Sequence, residues 1–272
     1  ESAVQLGLVT NRTAIRLSTW LEELCYRRAA LITGQTMGIV NNIRRRMPHK
    51  RVHWMPNGVD LDSIAQAEGA ADARAARERL GIGPGHLVLT YAGIIGHAQG
   101  LEVVLQAAEL LKAHVDIHFL LIGDGPEKAG LQQLRNRLDV PRVRFVDRMP
   151  RAELLALLTA TDAVVVPLRR NDLFKGAIPS KIFEALALAK PVLLGVEGEA
   201  KELFIEQGRA GLAFTPEDPH ALADAVLRYA ADRSLLVQHG NNGARYVRVH
   251  FDRAAISAAF WKVLNELAPQ RP

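Results

Sequence analysis

The chain has 272 residues, of which 49% are hydrophobic and 23% are charged, and its mean hydropathy is +0.02. This composition is typical of an ordered globular protein with one large or two medium domains and does not favour disorder. The single cysteine, Cys25, excludes an intramolecular disulfide and a cysteine-based metal site, and it predicts a reducing, cytosolic compartment. No apolar run approaches the ~20 residues that a membrane-spanning helix needs, so we expect a soluble chain.

The net charge of +5 comes partly from one basic cluster, "NNIRRRMPHKR", between Asn41 and Arg51. Three interpretations compete: a solvated helix face, an anionic membrane surface that meets Arg44, Arg45, Arg46 and Lys50, or nucleic acid. We expect no nucleic-acid partner, because the cluster lacks the interleaved aromatic side chains on which single-stranded bases stack.

The first 56 residues predict a helix near residues 11–28, the strand "AALIT", a helix near residues 37–46 and the strand "VHWMP". Two strands and two helices bury too little surface to offset the entropy of the chain. We therefore expect residues 1–56 to be the C-terminal remnant of an N-terminal, acceptor-binding domain. "PNGVDLD", which begins at Pro56, predicts the hinge to the next domain.

Residues 57–250 predict one α/β domain. After the Ala/Arg-rich "AEGAADARAARERL", which predicts a plain surface helix, strands and helices alternate from His86 onward. The predicted strands are unbroken apolar runs: "HLVLTYAG", "IHFLLIGDG", "VRFVD", "DAVVVPL", "PVLLG" and "GLAFT". Such runs indicate a doubly wound parallel sheet that is buried on both faces. In residues 251–272, a last helix near 252–267 carries an apolar face, and we expect it to pack back on the N-terminal remnant.

Two glycine-rich loops follow the first two strands of this domain. "GIIGHAQG" (Gly93–Gly100) permits close backbone approach and leads into a helix start, which favours an anion. Its spacing matches neither a dinucleotide fingerprint nor a Walker loop, so a simple tight turn explains it about as well. In the second loop, "IGDGPE", we interpret Asp124 as structural.

A later stretch, "KGAIPSKIFEALALAKPVLLG" (Lys175–Gly195), is more informative. Pro179 sets the entry to a helix and Ser180 is a candidate cap, so two helix starts and Lys181 converge on one place that suits a diphosphate. Glu184 lies one turn into this apolar helix. It is a candidate for binding vicinal hydroxyls such as those of a ribose, but an intrahelical pair with Lys181 or an ordinary exposed glutamate explains it equally well.

These segments together resemble the retaining glycosyltransferases of the GT-B fold, family 4. The resemblance rests on "WMPNGVD", "YAGIIGHAQGLEVVLQAA", "FLLIGDGPE", "VRFVDRMPRAELLALLTATDAVVVPL" and "IPSKIFEALALAKPVLLG" followed by "GEAKELF", in the order and spacing of the family. It implies a GT-B fold with Rossmann-like domains, a nucleotide-sugar donor as substrate, and no cofactor or metal.

The family places two glutamates eight positions apart, the first on the donor sugar and the second on the nucleotide ribose. Glu184 matches the second, whereas the first falls on Gly176. A subgroup with "PLF…IPSKIFE", similar to bacterial amino-sugar transferases of O-antigen and capsule assembly, also lacks the first glutamate. The family's diphosphate-binding basic residues fall on Ile94 and Gln99.

The resemblance assigns no catalytic residue in this chain, but it implies a set of donor-binding positions. His97, Lys175 and Lys181 are candidate replacements for the missing basic residues, together with the Gly96 amide and the start of the helix at Ser180. The backbone at Arg148 and Met149 would border the base. The amides from Gly198 and Glu199 onward would face the donor sugar.

We therefore expect the donor-binding part of a glycosyltransferase that uses a nucleotide diphosphate sugar, most simply a UDP sugar. The acceptor would be a saccharide or a lipid-linked saccharide at the inner membrane face, reached from the cytoplasm. Because the acceptor domain is largely missing, we expect donor binding without turnover. A nucleotide-sugar 2-epimerase and a non-catalytic nucleotide-binding partner of another transferase remain alternatives.

Overall fold

The computed structural model describes residues 11–70 and 72–267. It contains a parallel pair of strands, β1 and β2, followed by a six-stranded sheet in which every pairing is parallel. In chain order the strands are β1 (Ile32–Gly34), β2 (Val52–Trp54), β3 (Leu87–Ala92), β4 (Ile117–Ile122), β5 (Val143–Val146), β6 (Ala163–Pro167), β7 (Val192–Gly195) and β8 (Gly211–Ala213).

Helices connect these strands and cover the sheet. They are α1 (Arg12–Arg28), α2 (Met37–Arg46), α3 (Leu61–Ala70), α4 (Ala73–Arg79), α5 (Glu102–Leu110), α6 (Lys128–Leu138), α7 (Arg151–Thr159), α8 (Lys181–Ala187), α9 (Glu199–Lys201), α10 (Pro219–Ala231), α11 (Arg233–His250) and α12 (Arg253–Leu267). Short 3₁₀ turns occupy His97–Gln99 and Asp172–Gly176, and a π-helical turn, Glu202–Gln207, extends α9.

The large sheet has the order β5-β4-β3-β6-β7-β8. From β3 the chain adds β4 and β5 on one side, and it then returns to add β6, β7 and β8 on the other side. The strand order therefore reverses between β3 and β6, as in doubly wound α/β proteins. All six residues of β3 and all six of β4 are buried, which explains why both sequences are apolar apart from Thr90 and His118. Alternate side chains of β3 enter two different cores. Leu89 and Tyr91 pack with α5 and α10, whereas Val88 packs on the opposite face.

The N-terminal strands and helices form a small cluster of their own around Val40 and Ile43. The last helix, α12, contacts β2 and the residues beside it. The Arg51 guanidinium lies 2.6 Å from the Glu266 carboxylate, and the rings of His53 and Phe260 are 5.7 Å apart. These contacts join the two ends of the described chain.

Helix α11 is the largest element that the sequence patterns do not indicate. Its sequence contains two glycines and two asparagines, which are poor helix formers. Packing requires the glycines: a Cβ at Gly240 would lie 2.1 Å from the Ala189 carbonyl oxygen, and one at Gly243 would lie 2.6 Å from Leu186. Tertiary contact therefore overrides local propensity.

The Ala/Arg-rich segment also differs from its prediction as a single helix. The structure divides it between the end of α3 and the separate helix α4, whose first turn is capped by the Asp72 carboxylate at 2.9 Å from the Ala75 amide. Within the two described ranges, no helix is long and apolar enough to cross a membrane.

Candidate functional site

The candidate site lies at the carboxyl ends of β3 and β6, where the strand order reverses. Loops after these two strands meet directly, because the Arg169 amide donates to the Ala98 carbonyl oxygen at 2.9 Å. In open parallel sheets this crevice is where ligands bind, since loop amides and helix starts converge there. The glycine loop after β3 and the helix α8 after β6 therefore share one edge of the sheet, as the sequence predicts.

Glycines allow the loops after β3 and β4 to touch backbone to backbone. A Cβ at Gly123 would lie 1.9 Å from the Gly93 carbonyl oxygen, and one at Gly125 would lie 2.3 Å from that of Ile95. The Ile95 amide also donates to the Asp124 carbonyl oxygen at 2.9 Å. This second glycine loop therefore supports the first, in agreement with a structural role for Asp124.

The Arg169 side chain fixes the far end of the glycine loop. Its guanidinium donates to the His97 carbonyl oxygen at 2.7 Å and pairs with Glu102 at 2.7 Å and with Glu217 at 3.1 Å. Gly96 precedes the 3₁₀ turn in an extended conformation, and His97 and Ile94 are exposed. The loop is thus held in shape while its outer surface stays open.

Helix α8 begins without a side-chain cap. Ser180 already has helical torsion angles, φ −61° and ψ −26°, and its hydroxyl makes no capping hydrogen bond. The prediction that Ser180 caps this helix is therefore wrong, because a capping side chain needs an extended backbone to reach back to the first amides. The hydroxyl is exposed and remains available to a ligand.

The Lys181 side chain extends from α8 over the aromatic ring at the end of β3. Its Nζ lies 3.5 Å from the ring centroid of Tyr91, a cation–π distance. The Tyr91 hydroxyl donates to the Ile94 carbonyl oxygen and so holds the ring in place. Burial of the ammonium lowers the pKa of Lys181 to about 7.

Glu184 pairs with Arg151 and not with Lys181. Its Oε1 accepts a hydrogen bond from the Arg151 Nε at 2.9 Å, and no ion pair with Lys181 forms. About a quarter of the Glu184 side chain remains exposed, at 28%. Within the described residues Arg151 engages only one carboxylate oxygen, so the other is free to accept from a ligand hydroxyl.

Lys175 and Gly198 lie next to each other in the structure. The Lys175 Nζ pairs with Asp172 at 2.8 Å, and this hydrogen bond raises the pKa of Lys175 and lowers that of Asp172. Gly198 has φ +78°, and a Cβ there would lie 2.2 Å from the Lys175 carbonyl oxygen. Lys175 is thus close to the predicted sugar-binding loop, but a carboxylate already offsets its charge.

The Glu199 side chain is directed at the N-terminal part of the chain. Its two carboxylate oxygens accept from the Met37 amide at 2.6 Å and from the Gly38 amide at 2.8 Å, the first free amides of α2. A Cβ at Gly38 would also lie 3.2 Å from the Cα of Gly176. The backbones of α2 and of the turn containing Gly176 are therefore in contact.

Two cavities border this contact. One, of about 330 Å³, opens beyond the ends of β6 and β7 and is lined by Arg170, Asp172, Lys175 and Glu197 among others. The other, of about 720 Å³, lies between α2 and α9 and is lined by residues that include Asn41 and Glu202. Charged and polar side chains surround both, which suits a hydrophilic ligand such as a sugar.

The other predicted positions are exposed or tied to protein groups. Arg148 is exposed, and Met149 packs partly against the core next to β5.

In the basic cluster, Arg44 donates to the Val52 carbonyl oxygen at 3.2 Å, Arg46 pairs with Glu22 at 2.8 Å, and Arg45 is exposed. In residues 11–70 and 72–267, no three His, Cys, Asp or Glu side chains are grouped so as to hold a metal ion.

The sequence patterns do not identify three residues of this site. Tyr91 looks like a core strand residue, and only its place two residues before Gly93, the first glycine of the loop, could have marked it. Arg151 and Arg169 act across 33 and 72 residues of chain, respectively, on Glu184 and on the His97 carbonyl. No local periodicity encodes such contacts.

Comparison with known proteins places this geometry in a family. The family model described as "Glycosyl transferases group 1" matches residues 72–246. The chain belongs to the glycosyl transferases group 1 family. Similar curated proteins include the alpha-D-kanosaminyltransferase of Streptomyces kanamyceticus, 29% identical over 84% of this chain and 58% of that protein. The D-inositol 3-phosphate glycosyltransferase of Corynebacterium jeikeium is 30% identical over 80% of this chain and 52% of its own length.

The chain therefore spans about half the length of these curated relatives. Among solved structures, Anabaena HepE in complex with UDP and glucose superposes with a TM-score of 0.77 at 20% identity, over 94% of this chain and 68% of HepE. The architecture is the GT-B α/β fold with its Rossmann-like parallel sheet, as the sequence predicts.

Proposed function

We propose that this chain contains the donor-binding half of a retaining glycosyltransferase that takes a sugar from a UDP-linked donor. The observation that carries the proposal is the pairing of a glycine loop with Lys181 and Glu184 at the point where the strand order reverses. Loop amides and one cation suit a diphosphate, and a carboxylate one helical turn away suits the ribose.

The diphosphate would lie against the glycine loop. The Gly96 and His97 amides and the start of α8 at Ser180 would supply hydrogen-bond donors, and Lys181 would supply positive charge. Lys175 would add to the positive potential only if the ligand competes with Asp172 for it. Donors fixed in advance stabilise the negative charge that a leaving nucleoside diphosphate develops, and they need no reorganisation to do so.

The ribose would bind to Glu184. Its free oxygen can accept from one ribose hydroxyl while Arg151 keeps the carboxylate oriented. The base would follow the chain past Arg148 and Met149, and the donor sugar would face Gly198 and the segment around Glu199. The nucleotide sugar is a substrate in this scheme, which assigns no role to a cofactor or a metal.

The comparisons support this choice of substrate. HepE was solved with UDP and with UDP-glucose, and two of the relatives are named as transferases of an amino sugar or to an inositol phosphate. Membership of the group 1 family favours sugar transfer over the 2-epimerase alternative. We extend the proposal to family 4 and to amino-sugar transfer in O-antigen or capsule assembly on the resemblance of "IPSKIFEALA" and the glycine at position 176.

The acceptor is proposed to be a saccharide or a lipid-linked saccharide, met by a cytoplasmic enzyme at the inner membrane face. Arg44 and Arg45 are exposed and could meet anionic headgroups, whereas Arg46 is engaged by Glu22. Replacing Arg44 and Arg45 by Ala should reduce sedimentation with anionic liposomes, and unchanged sedimentation would remove this membrane contact.

Calorimetry with UDP tests the nucleotide site. Glu184→Gln should weaken binding by about 10- to 100-fold, because a hydrogen bond to a charged group contributes about 1.5–3 kcal/mol. Glu109→Gln, on the exposed end of α5, is the matched control and should bind as the parent does. Parent-like binding by Glu184→Gln would refute the ribose assignment, and equal affinity for GDP and UDP would contradict the choice of base.

A further inference from the structure

A cavity of about 450 Å³ lies at the edge of the large sheet opposite to the candidate site. Its lining residues include His86, Asp162 and Pro191, which directly precede β3, β6 and β7, so it lies at the amino ends of three neighbouring strands. A strand rises ~3.3 Å per residue, and the five residues of β6 therefore place roughly 16 Å between the two edges. This amino-edge cavity is thus separate from the site at the carboxyl ends.

Three partly buried cations line the amino-edge cavity: Arg77, Lys190 and Arg233. Each is held by backbone carbonyl oxygens. Lys190 donates to the Thr159 oxygen at 2.8 Å, Arg233 donates to the Gly85 oxygen at 2.9 Å, and Arg77 donates to two such oxygens at 2.8 and 3.1 Å. Carbonyl groups fix these side chains but carry no net charge, so they leave the positive charge of the cavity in place.

The counter-charge in the cavity is small. Within residues 11–70 and 72–267, Asp162 is the single carboxylate that lines it, and this carboxylate pairs with Arg77 at 2.7 Å. Glu68 on α3 also acts on Lys190 through space, but it is exposed and therefore screened by water and salt. No described carboxylate forms an ion pair with Lys190 or Arg233.

These two cations also keep unused hydrogen-bond donors. An ammonium has three N–H groups and a guanidinium has five. In the described part of the chain, Lys190 and Arg233 each make one hydrogen bond. Several N–H groups therefore remain for a ligand that enters the cavity.

Part of the cavity wall is apolar. Pro191, Leu236 and Val237 belong to its lining, and Val237 is 63% exposed. Val237 lies four residues after Arg233 in α11, so the two side chains share one face of the helix. An exposed apolar side chain beside a cation suits a ligand that joins an anionic group to a carbon group.

We propose that the amino-edge cavity binds a small phosphate monoester at a second ligand site of this chain. The phosphate would lie among Arg77, Lys190 and Arg233, because guanidinium groups match the geometry of phosphate oxygens and the ammonium adds a compact positive charge. The carbon group of the ester would lie against Leu236 and Val237. None of these residues belongs to the proposed nucleotide-sugar site, so the inference does not rest on the proposed function.

Calorimetry of the chain with phenyl phosphate, in a low-salt buffer without phosphate, tests the site. We expect saturable binding that is tighter than that of inorganic phosphate by about fivefold or more, because the phenyl group buries apolar surface against the wall. Affinity for inorganic phosphate equal to that for phenyl phosphate would overturn the assignment of a monoester, and so would the absence of saturable binding by the parent.

Two substitutions on one helix locate the binding. Val237→Glu places a negative charge on the cavity wall and removes no hydrogen bond, and it should weaken phenyl phosphate binding by about tenfold or more. Val249→Glu is the matched control, since Val249 lies on the same helix, is 69% exposed and does not line the cavity. It should bind as the parent does, and thermal unfolding checks that both variants fold.

Arg233→Met gives a second measure and should also weaken binding by about tenfold, because a hydrogen bond to a charged group is lost. Lys181→Met, in the candidate site, should bind phenyl phosphate as the parent does. Unchanged binding in Val237→Glu, or binding lost in Lys181→Met, would place the ligand elsewhere and overturn the inference. Failure of the parent to bind UDP would contradict the proposed function and leave this second site standing.

Discussion

Lys181 and Glu184 lie one turn apart on α8, yet they meet different surroundings. The lysine is directed inward at an aromatic ring and has no described acceptor, whereas the glutamate is directed at Arg151 and keeps part of its surface in solvent. An intrahelical pair would have satisfied both at little cost. That they remain apart leaves one cation and one carboxylate oxygen ready for a ligand.

This separation predicts a stability cost at Lys181. Because its folded pKa of about 7 lies below the ordinary value of 10.5, the folded state binds fewer protons than the unfolded state between these pH values. The contribution of Lys181 to the free energy of unfolding of the parent should therefore increase as pH rises from 7 towards 10.5. Well below pH 7, both states carry the charge and the folded state bears the full penalty of burying it.

Lys181→Met should accordingly stabilise the fold while it weakens UDP binding. We expect a gain of about 1 kcal/mol near pH 6.5 that shrinks towards pH 10. Urea unfolding at pH 6.5, 8 and 9.5 measures this, with Lys262→Met on the exposed face of α12 as the control. A Lys181→Met protein less stable than the parent at pH 6.5 would show that the cation–π contact outweighs desolvation.

At the scale of elements, the contact between α9 and α2 joins the two parts of the chain. Two carboxylate oxygens of Glu199 bind the first two amides of α2, and Gly38 rests against Gly176. The carboxylate acts as a helix cap supplied from a distant segment, and negative charge at a helix start is favourable. The turn containing Gly176 is thus packed against the backbone of α2.

Removing this cap should loosen α2 and leave the large sheet unchanged. For Glu199→Ala we expect a local loss of about 1 kcal/mol and faster amide hydrogen exchange in α2. Glu206→Ala, which removes an exposed glutamate from the same cavity, is the matched control. Unchanged exchange at Met37 and Gly38 in Glu199→Ala would mean that the cap does not hold these elements together.

At the scale of the whole molecule, the sequence predicts those strands whose residues are all buried. Strands such as β3 and β4 are buried on both faces, so apart from Thr90 and His118 they appear as apolar runs that are recognisable in the sequence. Helix α11 cannot be predicted from the sequence in this way, because the need for its glycines arises only from their close contacts with Ala189 and Leu186.

The candidate site is predictable to the same extent. The glycine loop, Lys181 and Glu184 can be named from local signals: a strand end, a helix start and one helical turn. Their partners cannot, because the Arg151 and Glu199 contacts join residues 33 and more than 160 positions apart. Whether a charged side chain is free or paired is a property of tertiary packing, and that property decides which residues can bind a ligand.

A crystal structure of the chain with UDP tests the central claim most directly. The account predicts the diphosphate between the glycine loop and the Lys181 amine, within hydrogen-bond distance of the Gly96 or His97 amide, and a ribose hydroxyl donating to the free oxygen of Glu184. UDP bound elsewhere on the domain, or with its ribose away from Glu184, would contradict it.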